Sequence, residues 1–321
     1  ADFFYQLVTA QAEKEEWASV VLNGPRALLR VTQQGGGRDS ESCHLSSLLI
    51  KGLIEQECYE EAEKYATGLT ERFPGFLDGF YFLIIAYVKQ ETYTAHLTRA
   101  LHSYRVIRER LLKGAYAETV PLYGLFRSGD IDILKGGLAI LKGREGARMI
   151  QKGLASTGGA VPEFVSGFLK GNLRKIMDDS AAEEVFFQYQ DSPDCLLLLI
   201  ERDSLKGDTR SKFEHLNRLA AAAPFYRGDA EYYKAELFLK QGNRDMALQH
   251  YVEAIPQYQA LISSGTAIPS EMLMRYAVSL ERTGRITTAL SIYEFLLKVC
   301  SRSQEYAIRS KINQLKQFLG G

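Results

Sequence analysis

The sequence is short of proline, of cysteine and of any excess of charge. Its 321 residues include eight prolines, four cysteines, and 39 lysines and arginines against 39 aspartates and glutamates. Scarce proline, with abundant alanine, leucine, lysine and glutamate, favours helix over strand. Balanced charge removes the basic excess that would neutralise phosphates, so we expect no nucleic-acid partner. The cysteines lack C-x-x-C spacing and are expected to be buried free thiols, with one disulfide left open if the protein is exported.

Long hydrophobic runs are also missing. The most apolar stretch, residues 76–88, contains Asp78 and is shorter than the ~20 residues that a membrane-spanning helix needs, so we expect no transmembrane segment. The sequence opens without methionine or a signal-like segment. The compartment therefore stays unknown: the cytoplasm is slightly favoured, and an exported or periplasmic location is left open if a targeting segment has been removed.

The residue patterns of known catalytic and metal sites are absent as well. No H-E-x-x-H, G-x-S-x-G or G-x-G-x-x-G motif occurs in a suitable context, and His96 and His102 are six residues apart, which places them on different faces of a helix. We expect all five histidines to lie on the surface or to face a partner. The sequence thus predicts no enzyme, no catalytic residue, no metal site and no cofactor.

Two stretches near the end of the chain repeat the same pattern of residue types. A small residue is followed at identical offsets by a large apolar residue, a glycine, an alanine and a tyrosine. The first set is Ala235, Phe238, Gly242, Ala247 and Tyr251, and the second is Ala277, Leu280, Gly284, Ala289 and Tyr293. Such self-similarity indicates stacked helix pairs.

The remaining chain fits this pattern unevenly. We predict N-terminal helical repeats over residues 1–112, an irregular glycine-rich helical segment over 113–190, and C-terminal repeats with a capping helix over 191–321, all in one continuous solenoid. Seven glycines are expected to divide the middle into short helices with many bends: Gly136, Gly137, Gly143, Gly146, Gly153, Gly158 and Gly159. A tight turn is predicted at Gly129. A last helix, residues 305–319, is expected to cap the solenoid with an apolar stripe of Ile308, Ile312, Leu315 and Leu319 and a polar side that includes Lys311.

The two matching stretches resemble the tetratricopeptide repeat. The resemblance implies an all-α fold, a right-handed α-solenoid of antiparallel helix pairs, in which the small residues allow close helix approach and the glycine makes the turn. It is strongest in the last third of the chain. Earlier units depart from it, with Ala66 in place of an aromatic residue and Lys212 in place of the alanine at the helix crossing. A generic α-solenoid is the alternative.

The resemblance also implies a function. Tetratricopeptide arrays typically bind partners on a concave face lined by the first helix of each pair, and projection of that face gives Tyr81, Ile85, Val88, Tyr232, Glu236, Leu239, Met274, Val278 and Glu281. We therefore expect a non-catalytic scaffold or adaptor that binds a protein or peptide, with self-association left open. The basic clamp for acidic chaperone tails is missing from the two clearest repeats. The alternatives are a small-molecule-binding or transport-accessory protein with a pocket in the middle segment, and an enzyme whose site lies there.

Overall fold

A computed structural model of the protein describes residues 2–33, 39–93, 95–113, 126–299 and 302–320. These residues form eighteen α-helices, one short 3-10 helix at Pro224–Tyr226 and no β-strand. The prediction of an all-α fold is confirmed. The three consecutive glycines near residue 36, expected to form a connector, lie outside the described residues, and so does Cys300.

The chain folds as two compact units. One contains residues 1–157 and 162–168, and the other contains residues 158–161 and 169–321. The boundary falls within the segment predicted to be glycine-rich. The division into three segments that the sequence suggests stays a prediction.

The first unit consists of helix pairs that follow one another along the chain. Its helices are α1 (Asp2–Glu13), α2 (Trp17–Gln33), α3 (Asp39–Glu55), α4 (Tyr59–Arg72), α5 (Leu77–Lys89), α6 (Ala95–Leu112), α7 (Ser128–Leu141) and α8 (Ala147–Thr157). Each of α1 to α5 packs on the next helix, and α1 contacts α3 as α3 contacts α5. The first helices of successive pairs therefore lie side by side.

The second unit has the same construction. After α9 (Glu163–Gly171), which contains the unit boundary, come α10 (Leu173–Met177), α11 (Ser180–Gln188), α12 (Pro193–Lys206), α13 (Thr209–Ala222), α14 (Arg227–Lys240), α15 (Arg244–Ser263), α16 (Ser270–Arg282), α17 (Ile286–Val299) and α18 (Arg302–Gly320). Gly207, Gly242 and Gly284 turn the chain between the helices of a pair, with φ of 71°, 79° and 76°. Asp208 and Asn243 then cap the following helices by accepting the backbone N–H groups of Ser211 and Met246.

The glycine-rich middle differs from the prediction. Gly129, Gly136 and Gly137 lie inside the 14-residue helix α7, and Gly153 lies inside α8, so the predicted turn at Gly129 and the bends at the other three are wrong. Gly143, Gly158 and Gly159 do lie between helices and have positive φ.

The reason is close contact between the main chains of α7 and α8. A Cβ atom on Gly153 would lie 2.5 Å from the Gly129 carbonyl oxygen, and one on Gly146 would lie 2.0 Å from the Gly136 carbonyl oxygen. These glycines give the two helices the space to approach closely, a role that helix propensity does not reveal.

The last helix, α18, closes the second unit as expected. Ile308, Ile312 and Leu315 are buried in the core formed with α15, α16 and α17. Leu319 is 46% exposed, so the apolar stripe is one turn shorter than predicted. Lys311 of the predicted polar side is 42% exposed, and its ammonium group donates to Glu281 over 2.9 Å.

Candidate functional site

The predicted partner-binding residues of the second unit lie on two neighbouring first helices, α14 and α16, which contact each other. Three come from α14 and three from α16, and all six are partly exposed: Tyr232, Glu236, Leu239, Met274, Val278 and Glu281. We call these six residues the α14/α16 face. It mixes aromatic, aliphatic and acidic groups within a small area.

Each glutamate of this face is held by the buried tyrosine of its own repeat. Tyr251 donates its hydroxyl to Glu236, and Tyr293 donates to Glu281 over 3.1 Å. Burial first, and then the adjacent glutamate, raises the pKa of both tyrosines above its usual value. The tyrosines that define the repeat therefore also fix the direction of two carboxylates on the face.

The aromatic part of the face is similarly constrained. The Tyr232 ring contacts the Tyr251 ring edge-on, with ring centroids 5.9 Å apart. Burial raises the pKa of Tyr232 to about 12, and the charge of Glu236 adds to that shift. Lys311 of α18 closes the other end of the face through its contact with Glu281. Tyr232, Glu236 and Glu281 are thus each held by contacts within the protein.

A buried ion pair joins the two repeats beneath this face. Arg275 of α16 contacts both carboxylate oxygens of Asp229 at 2.8 and 2.7 Å, and Asp229 is 2% exposed. The Tyr258 hydroxyl donates to the same carboxylate over 2.8 Å. A Cβ on Gly228 would lie 2.8 Å from the Tyr258 ring, so a residue without a side chain is needed there. Sequence reasoning missed this group because its members are spread over three helices.

The predicted residues of the first unit present much less surface. Ile85 and Val88 are each 8% exposed, and the Tyr81 ring packs on Phe126 with centroids 4.8 Å apart. Phe126 packs in turn on Phe164. The structure therefore brings together the six residues of the second unit and places the three of the first unit mainly in packing contacts.

Two of the histidines contradict the expectation of surface positions. His215 and His250 are 6% and 9% exposed, and the Nδ1 atom of each lies 2.7 Å from a carboxylate oxygen, that of Asp203 or Glu231. His96 and His102 are exposed, as predicted. The two buried histidines occupy the same place in successive repeats, eight residues after Gly207 and Gly242. That equal spacing was the signal available in the sequence.

Lys212, which departs from the repeat pattern, is also buried. Its ammonium group donates to the Ser204 hydroxyl over 2.7 Å and lies 5.6 Å from the centre of the Tyr233 ring. Burial lowers its pKa. A long side chain is accommodated at the crossing because its charged end reaches these two groups.

The thiols that the structure describes are free. Cys43 and Cys195 are buried, as predicted, and Cys58 is partly exposed. Burial raises the pKa of Cys43 to about 11 and that of Cys195 to about 12. Because the thiolate is the reactive form, these two residues have the properties of core residues.

Among the described residues, one group offers three ligand atoms close enough together to hold a metal ion: Glu231, His250 and Glu253. His250 and Glu253 are three residues apart on one helix and belong to none of the metal motifs sought in the sequence. That i, i+3 spacing was visible in the sequence, whereas the third member, from α14, was not.

Surface depressions in the second unit include a larger and a smaller one, and the larger is open, with a volume of about 630 Å³. It lies beside the start of α12 and is lined chiefly by residues 188–194. The smaller, about 310 Å³, lies between α13 and α14 beside Phe213 and Phe238. Neither is a deep, closed pocket.

Comparison with solved structures shows a likeness to other proteins, of which the human IFIT1 dimer is one. No protein-family model and no curated protein matches this sequence. Among solved structures, the human IFIT1 dimer with m7Gppp-AAAA is similar over 91% of this chain and 80% of that chain, with 14% sequence identity and a TM-score of 0.37. A TM-score this low does not by itself establish a common fold. The helical-repeat architecture is instead evident from the stacked helix pairs, and no helix of the described residues is long and apolar enough to cross a membrane.

Proposed function

We propose that this protein is a non-catalytic adaptor that binds a segment of a partner protein on the α14/α16 face. The observation that supports the proposal is the grouping of six partly exposed side chains on two adjacent first helices, with both carboxylates held by repeat tyrosines. An ordered surface loses little side-chain entropy when a partner binds.

The composition of the face suggests the kind of partner. Leu239, Met274 and Val278 offer apolar contacts, while Tyr232 adds a large aromatic surface that is ordered before binding. Glu236 and Glu281 add negative charge. An extended or helical segment with apolar anchors and a nearby basic side chain would fit these groups.

Crosslinking and mass spectrometry in native extract would test the proposal with matched variants. Val278→Glu places a charge at the centre of the face, and Thr288→Glu places the same charge on an exposed position of α17. We expect partner crosslinks close to α14, α16 and α18 that are lost in Val278→Glu and kept in Thr288→Glu. Crosslinks that cluster on the second helices, or that survive in Val278→Glu, would contradict the proposal.

Two further measurements define the class of partner. A synthetic acidic tail peptide should not bind, because Tyr232, Glu236, Met274 and Val278 stand where a basic clamp would be needed; micromolar binding would contradict this. Analytical ultracentrifugation of the purified chain would show whether the partner is a second copy. The two depressions described above are open, so neither favours the small-molecule alternative.

A further inference from the structure

Two carboxylates converge on a single imidazole nitrogen at the α14/α15 interface. The Glu231 Oε2 atom lies 2.7 Å from the Nδ1 atom of His250, and the Glu253 Oε2 atom lies 3.4 Å from the same nitrogen. One hydrogen bond from a single N–H group accounts for the first contact. The second carboxylate lies one turn later on α15 and approaches the same nitrogen at a longer distance.

The outer oxygen of each carboxylate is held by a different donor. The Lys234 ammonium group lies 2.7 Å from Glu231 Oε1, and the Gln249 amide donates to Glu253 Oε1 over 2.9 Å. The His250 ring is stacked on the Phe238 ring, with ring centroids 5.3 Å apart and an interplanar angle of 4°. These contacts orient the ligands in the way that outer-shell partners do around bound metals, with both Oε2 atoms and Nδ1 facing one another.

The repeat itself does not require polar residues at these positions. Counting from the turn glycines, the equivalent positions in the preceding repeat hold Leu196, His215 and Arg218, and those in the following repeat hold Leu273, Ile292 and Phe295. The α14/α15 pair therefore has a glutamate, a histidine and a second glutamate where its neighbour has three apolar residues. Two carboxylates beside a 9% exposed histidine are favoured by nearby positive charge. Lys234 supplies such a charge to Glu231, and a bound cation would supply it to all three groups.

We propose that Glu231, His250 and Glu253 bind Zn²⁺ or a chemically similar first-row divalent cation. Imidazole nitrogen and carboxylate oxygen are suitable zinc ligands. Two zinc bonds of about 2.0–2.2 Å can span the 2.7 and 3.4 Å that separate the carboxylate oxygens from Nδ1. The Glu253 side chain is 46% exposed, so water has access to complete the coordination. The positive charge of Lys234 beside Glu231 limits the affinity, and we expect a dissociation constant in the micromolar range. The site would join α14 to α15 and does not depend on the proposed partner binding.

Titration of the full chain with Zn²⁺ by calorimetry, and with Co²⁺ by visible absorption, would test the site. We expect one ion per chain, and a Co²⁺ spectrum with d–d bands and no thiolate charge-transfer band. Glu253→Gln should weaken binding by at least about tenfold, since even loss of an outer-shell partner typically weakens a metal site by 10- to 100-fold. His250→Ile, which copies the following repeat, should abolish binding.

Glu294→Gln is the matched control, because Glu294 lies on α17 and its side chain is 47% exposed, close to the 46% of Glu253. It should leave the affinity unchanged. Circular dichroism checks that each variant folds; the exposed position of Glu253 keeps that variant informative if His250→Ile does not fold. The assignment is overturned if no ion binds, if Glu253→Gln binds as tightly as the wild type, if both Gln variants lose binding equally, or if a thiolate band appears.

Discussion

The helix pairs α7/α8 and α14/α15 have the same architecture, but the residues at the helix–helix contact differ in kind. In α7/α8 the main chains touch, because glycines face one another at both ends of the contact: Gly129 with Gly153, and Gly136 with Gly146. In α14/α15 the contact is made by side chains, with Ala235 and Ala247 buried at the crossing and Tyr251 beside them. An antiparallel helix pair can thus be specified by glycines that let the main chains approach closely, or by side chains whose shapes fit together.

The difference also bears on function. Because α14 and α15 are separated by side chains, Tyr251 passes between them and reaches Glu236 on the partly exposed face. The glycine contact leaves no room for such a side chain. The alanine and tyrosine residues therefore both pack the helices together and position a side chain on the partly exposed face. The glycines only allow the helices to pack.

The largest effect is expected from breaking the ion pair that joins α14 to α16. Asp229→Ala should destabilise the protein by about 3–4 kcal/mol, because it leaves the Arg275 charge and the Tyr258 hydroxyl without their acceptor. Chemical denaturation would measure the change. The double variant Asp229→Ala/Arg275→Met should recover part of the loss, and a double variant as unstable as the sum of both singles would contradict this account.

The corresponding test of the glycine pair is Gly153→Ala. The added methyl group would lie 2.5 Å from both the Gly129 carbonyl oxygen and the Ile133 side chain, so α7 and α8 would have to separate. We expect a loss of about 2–3 kcal/mol, typical of overpacking against an unyielding neighbour. Hydrogen exchange would show whether the loss of stability is located in α7 and α8. An unchanged stability would contradict the prediction, because it would mean that the two helices separate at no cost.

A smaller effect is expected at Tyr251. Tyr251→Phe removes the hydrogen bond to the partly exposed Glu236, and we expect a loss of about 1 kcal/mol near neutral pH. The raised pKa of Tyr251 means that the folded state keeps its proton at a pH where the unfolded state loses it. Stability conferred by this group is therefore complete below pH 10.0, the ordinary value, and falls as the pH rises above it.

The measurement is the unfolding free energy of Tyr251→Phe and of the wild type between neutral pH and pH 11. The variant should lose less stability above about pH 10 than the wild type does. Tyr293→Phe provides a second variant in which a repeat tyrosine loses its hydrogen bond to a glutamate. There Glu281 still has Lys311 as a partner. Parallel curves for the wild type and Tyr251→Phe would contradict the assignment.

The smallest effect has the opposite sign and serves as a control for the glycine comparison. Gly68 lies inside α4, and a Cβ there would meet no atom within 4 Å. Gly68→Ala should therefore stabilise the protein by about 0.5–1 kcal/mol, because alanine restricts the unfolded chain without a clash. Thermal unfolding would detect a higher midpoint, and a loss similar to that of Gly153→Ala would remove the distinction between the two kinds of glycine.

The repeat pattern predicted much of the fold correctly because its signals are local. The turn at Gly242, the close crossing at Ala247 and the buried tyrosine at position 251 each depend on residues within one helix pair. The glycines of α7 and α8 were misread for the opposite reason. A glycine that ends a helix and a glycine that admits a second helix are identical in sequence, and only the neighbour across the interface distinguishes them.

The candidate site divides in the same way. Helical phase alone placed Glu236 and Val278 on partly exposed sides of α14 and α16. The same reasoning placed Ile85 and Val88 on an open face, although both are buried. Helical periodicity predicts which residues lie on the same side of a helix. It does not predict whether another part of the chain covers that side.

The amino-acid sequence by itself determined that the chain is helical, that its last third is built from paired repeats, and where those pairs turn, because propensity, periodicity and turn glycines act over a few residues. Only the tertiary structure decided which charges meet. Asp229 finds Arg275 across 46 positions, and Glu231 and Glu253 reach His250 from two helices, since such contacts depend on how the packed helices align and not on spacing along the chain.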